Sequence, residues 1–186
     1  NTRKGATLTL VKTWAANSIA GNTTTVTNSG FINNASSGLS TATALGNTTT
    51  GTAITVYAGE SGTISETFGV GSAANYDAVL SCTGNATALV GNTLTVDPAD
   101  TAIICTETNT RKTATLTLRK TWAANSIAGN TVTVTTSGFI NNASSGLSTA
   151  TTIGNTTTGS AVTVYAGESG TLSESFGIGS AANYSA

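Results

Sequence analysis

The 186-residue chain is 38% apolar and only 8% charged, with seven Lys and Arg against eight Asp and Glu, no His, no Met, two Cys and one Pro. That balance leaves no positive footprint for nucleic acid or an anionic membrane, no run near the roughly 20 apolar residues of a bilayer crossing, and few of the imidazole and sulfur ligands that zinc or copper take. The polar share is Thr, Asn, Ser and Gly, and Thr alone is about a fifth of the chain, which favours strands because β-branched side chains suit a pleated surface.

Taken in chain order, apolar and polar residues alternate in short stretches separated by Gly, Asn and Ser, which predicts strands over 6–14, 23–27, 39–44, 52–57, 62–68, 77–82, 92–96 and 101–108. Ala58-Gly59-Glu60-Ser61 reads as a hairpin turn, with Gly supplying a positive φ. No segment shows a helical period with caps. Asp77, Asp97 and Asp100 are too scattered for a calcium site, and the stretch from Asp97 to Asp100 reads first as a turn and second as a weak ion site. No cofactor and no metal is expected.

From residue 109 the sequence starts again. Lys12-Thr-Trp14-Ala-Ala-Asn-Ser-Ile-Ala-Gly-Asn returns at Lys120 almost word for word, and the same offset of 108 residues carries Gly30 onto Gly138, Tyr57 onto Tyr165 and Gly71 onto Gly179. A period of that length is too long for a solenoid unit and suits a β-sandwich that buries its own core. The expected domains are therefore a complete repeat over 1–108 and a second over 109–186 that lacks the last three strands. Such a copy must be completed from outside, by the continuation of a longer chain or by strands of a neighbouring molecule.

Successive side chains of a strand point to opposite faces. Leu8, Leu10, Lys12 and Trp14 therefore share the apolar face of the first strand, Glu66 lies between Ile64 and Phe68, and Ile103, Cys105, Glu107 and Asn109 share a face of the last. A buried ammonium or carboxylate without a partner costs several kcal/mol, so an inward Lys, Glu and Asn ask for one another. Cys82 shares its parity with Leu80 and Cys105 is inward on its own strand. A disulfide is the natural reading, worth about 3 kcal/mol through loop closure and implying an oxidising compartment; two buried free thiols are the alternative. Trp14 and Trp122 read as core side chains.

A Lys in the first strand, a Glu in a central strand followed shortly by Gly and Asn-Tyr, and an Asn in the closing Thr-Glu-Thr-Asn-Thr resemble the Cna B-type, prealbumin-like repeats of bacterial surface proteins. The resemblance implies tandem Ig-like, prealbumin-like β-sandwiches and an intramolecular isopeptide bond, with Lys12 as nucleophile, Asn109 as the amide that loses ammonia and Glu66 as acid/base; Lys120 and Glu174 are their counterparts in the second copy. A plain ion pair between Lys12 and Glu66 or Glu107 is the competing reading. The expected function is a spacer repeat in the stalk of a bacterial extracellular adhesin or surface fibre, with neighbouring repeats or identical subunits as partners. A fibre subunit assembled by lent strands and a carbohydrate-binding module are the alternatives. Enzymatic activity is not expected: without histidine there is no Ser/His/Asp arrangement, and the one candidate constellation is internal and self-consuming.

Overall fold

The computed structural model describes residues 1–184, which are all-β with no α-helix. It comprises two compact units, Asn1–Lys112 and Thr113–Ala186. The division falls slightly beyond the expected residue 108, because the closing strand of the first unit continues to Arg111.

The first unit contains β1 (Gly5–Trp14), β2 (Thr23–Ser29), β3 (Ser40–Thr41), β4 (Asn47–Thr50), β5 (Ile54–Tyr57), β6 (Ser61–Val70), β7 (Tyr76–Thr83), β8 (Thr93–Thr95) and β9 (Ala102–Arg111). One sheet runs β4-β1-β9-β7, and the other β3-β2-β6-β8. Along one edge of β1, β5 pairs with Gly5 to Leu8 and β4 with Val11 to Trp14. Along the other edge β9 runs parallel, in register from Thr7↔Ala102 to Trp14↔Asn109. The first and last strands of the unit are thus direct neighbours.

Three sequence expectations change here, the first being the strand over 39–44, of which only the two residues of β3 are strand. The strand β4 was not foreseen, because Asn47-Thr-Thr-Thr has no apolar alternation and its pairing comes wholly from β1. The turn at Ala58-Gly59-Glu60-Ser61 is tight, with Gly59 at φ 84° and Glu60 N–H donating to the Tyr57 carbonyl, but it is not a hairpin. It carries the chain from one sheet to the other, since β5 pairs with β1 while β6 pairs with β2 and β8.

The two sheets enclose one core, with Leu8, Leu10, Val26, Val56, Ile64, Leu94 and Ile103 fully buried. Each such aliphatic side chain contributes about 1.5–3 kcal/mol on leaving water. Trp14, Ala42 and Tyr76 make a second cluster at the end of β1, where Trp14 meets the Tyr76 ring edge to face at 5.2 Å.

In the second unit β10 (Thr113–Leu116), β11 (Arg119–Trp122), β12 (Thr131–Ser137), β13 (Ser144–Thr149), β14 (Asn155–Thr158), β15 (Val162–Tyr165) and β16 (Thr171–Ile178) follow the order of β1 to β6 at the 108-residue offset. The counterpart of β1 is broken into β10 and β11. No strand among the described residues of this unit occupies the places of β7, β8 and β9, and its core is smaller: Leu118, Trp122, Val132, Val134, Ala143 and Ala150.

Candidate functional site

Lys12 is fully buried, on the core face of β1 between Leu10 and Trp14. The parallel register sets Glu107 and Asn109 of β9 beside Lys12 and Trp14, and Glu66 of β6 reaches the same point from the opposite sheet. Lys12 Nζ lies 2.9 Å from Glu66 Oε1, donates to the Glu107 carbonyl oxygen at 3.3 Å, and sits 4.9 Å from the centre of the Trp14 ring. The ammonium does not snorkel to water as a rim lysine would. Its partners are a carboxylate, a carbonyl and an aromatic face.

Asn109 is equally buried, and its Nδ2 donates to the same Glu66 Oε1 at 2.8 Å. The amine and the amide therefore converge on a single carboxylate oxygen. The Asn109 Oδ1 atom is buried without a hydrogen-bond partner, an unsatisfied acceptor of the kind that folded cores seldom retain. Burial pushes the Lys12 pKa below its ordinary value, against the opposing pull of Glu66 and Glu107. Glu107, also inward, is pushed above the usual carboxylate range by burial and then by the negative Glu66, with Lys12 pulling the other way. The arrangement sets an amine, its pKa lowered by burial, beside an amide, with one carboxylate oxygen in contact with both.

In the second unit Lys120 and Glu174 meet at 2.7 Å, and Lys120 Nζ lies 4.6 Å from the centre of the Trp122 ring. The pair is more open: the side chains are 18% and 39% exposed, against 0% and 10% for Lys12 and Glu66. The position corresponding to Asn109 is not among the described residues.

Cys82 and Cys105 are directly opposed in the β7–β9 ladder and joined by a disulfide, their Cα atoms 4.0 Å apart. The Asp97 region is a turn. Asp100 is buried with both carboxylate oxygens engaged, accepting from the Ala86 and Asp97 N–H groups, and Asp97 accepts from Ala99. No metal-binding cluster occurs among the described residues. Trp14 and Trp122 are core side chains, each donating to a serine, Ser40 and Ser148.

The sequence reading missed the clasp that closes this end of the unit. Tyr76 Oη accepts from the Ile19 N–H and from Asn22 Nδ2, and the same bonds recur from Ile127 and Asn130 to Tyr184. The signal was present, since Asn22 and Tyr76 both return at the 108-residue offset. Compared with known proteins, the chain matches no family model, and no curated protein or solved structure is significantly similar to it.

Proposed function

We propose that this chain is a spacer segment in the stalk of a bacterial extracellular adhesin or surface fibre, built from Ig-like, prealbumin-like repeats of the Cna B type and locked by an isopeptide bond between Lys12 and Asn109. The observation that carries the reading is the convergence of Lys12 and Asn109, both buried, on one oxygen of Glu66. The Lys12 amine attacks Asn109 Cγ, the new C–N bond forms, the Cγ–Nδ2 bond breaks, and the departing nitrogen leaves as ammonia with a proton passed through Glu66. Fixed proximity makes one slow turnover sufficient.

The mechanical logic follows from the ladder. Parallel pairing of β1 with β9 means that a pull applied at Gly5 and Arg111 loads the ladder in shear, across all its pairs at once. A bond from Lys12 to Asn109 would shorten the load path to the residues outside it and relieve the strands between of force. The disulfide fits an oxidising exterior, and the neutral, Thr-rich composition suits a passive surface.

Intact mass of the reduced chain tests the bond. The expected mass is short by one ammonia, with full mass restored in Lys12→Ala, Asn109→Ala and Glu66→Ala; a wild-type chain of full mass overturns the cross-link. Because burial lowers the Lys12 pKa, the rate of ammonia loss in freshly refolded protein should rise with pH and level off below the ordinary lysine value of 10.5. Single-molecule pulling tests the load-bearing role: Lys12→Ala should release a long extension that the wild-type first unit withholds.

A further inference from the structure

The edge strands of the first unit are unequal. β3, β4, β5 and β8 are two to four residues long, whereas β7 runs for eight, Tyr76 to Thr83, at the end of the β4-β1-β9-β7 order. β9 pairs with it residue for residue, without a bulge, and among the described residues no backbone hydrogen bond ties its other side to a neighbouring strand. That side presents a row of main-chain donors and acceptors, which β-proteins ordinarily blunt with Lys, Pro, a bulge or a very short strand. β7 has none of these devices, and its single charge is Asp77. Leu80 and Cys82 pack against the core, while Asp77, Val79, Ser81 and Thr83 alternate with them and point outward, Val79 being 63% exposed. The disulfide to Cys105 ties β7 to β9, so the edge is ordered before it meets a partner.

We infer that β7 is an interaction edge for a second copy of this chain, the two strands pairing antiparallel about a two-fold axis at Val79. Identical strands satisfy each other's main chain in this arrangement, because an isologous contact uses the same patch twice. Register follows from parity: opposed residues of an antiparallel pair face the same side of the sheet, so an outward residue must meet an outward residue. Val79 opposite Val79 of the second copy covers the exposed aliphatic side chain of the edge. It also sets Asp77 opposite Ser81 of the second copy, so the two carboxylates never oppose each other, and Lys112 lies 3.9 Å from Asp77 within each copy. Leu80, half-buried, then lies opposite Ala78, and both gain cover. An edge of this length buries less than the roughly 1,600 Å² of a standard interface, so the contact is weak, and a two-fold contact closes at a dimer. The inference uses only the β7 edge and stands apart from the stalk reading and from the bond between Lys12 and Asn109.

The test uses the full chain. Sedimentation velocity over a rising concentration series should show a monomer–dimer equilibrium, and Val79→Lys, which opposes two ammonium groups on the axis, should weaken it about tenfold. Val79→Glu should do the same, and mixing the two variants should restore the dimer, since opposite charges then meet. Val79→Cys under mild oxidation should give a disulfide-linked dimer, as the directly opposed Cys82 and Cys105 are linked within the chain. Leu45→Cys, 92% exposed in the turn before β4, should stay monomeric at the same concentration. Because Val79 is on the surface, its variants should keep the melting curve of the unsubstituted chain. A chain monomeric at every concentration with no preferential linking at position 79, a dimer indifferent to both charged variants, or a mixture no tighter than its parts would overturn the inference.

Discussion

Glu107 shows how a single inward side chain contributes to the pH dependence of the first unit. Its folded pKa is raised, so the folded chain binds the proton more readily than the unfolded one. The associated stability is fully present below the ordinary carboxylate value of 4.5 and is lost as pH rises through the raised folded value. Glu107→Gln should therefore melt with wild type in acid and above it near neutrality, as calorimetry across that range would show. Gly62 is a second residue-scale constraint. A Cβ there would lie 2.3 Å from the Phe31 ring and 2.5 Å from the Ser29 carbonyl oxygen, and Gly170 faces Phe139 and Ser137 in the same way. Gly62→Ala should cost about 1–3 kcal/mol in a denaturant titration, as overpacking does, although the backbone at Gly62 is ordinary strand.

At the scale of the element, the β7–β9 ladder is held twice, by eight registered pairs and by the Cys82–Cys105 disulfide. The cysteines are 23 residues apart in sequence, so Cys82→Ala with Cys105→Ala should lower stability by about 3 kcal/mol through the longer free loop of the unfolded chain. The ladder itself should persist, and amide exchange in β9 would reveal its survival. The parities of β1, β6 and β9 were legible in the sequence because each of these strands buries one face, and a one-residue error would expose an entire row. Strand β4 and the crossing at Gly59 were not legible. Neither depends on its own side chains; both depend on which strand β1 accepts as a neighbour.

For the whole molecule, near-identical sequences in two settings form an internal control. Leu10 is fully buried and Leu118 is 8% exposed, yet Leu10 lies on a strand paired along its length and Leu118 lies at a break. Amides of the second unit should exchange faster than their counterparts in the first by on the order of 100-fold, because local opening there breaks fewer buried contacts. Heating should accordingly give two transitions, the first belonging to residues 113–184. A single transition with uniform protection would show that the second unit is as complete as the first.

The sequence by itself determined the β class, the 108-residue period, the inward parity of Lys12, Glu66 and Asn109, and the matching of Cys82 with Cys105. All of these follow from the two-residue alternation of strands and from the cost of burying a charge alone, both local properties. Only the tertiary structure decided that β1 and β9 are parallel neighbours, that Glu66 arrives from the opposing sheet, and that Lys12 and Asn109 share one of its oxygens. It also decided the different fates of near-identical residues, such as Glu66 and Glu174, since exposure depends on whether a third strand arrives to cover them. Pairing between strands a hundred residues apart leaves no periodic trace in either, so it emerges only when the sheets assemble.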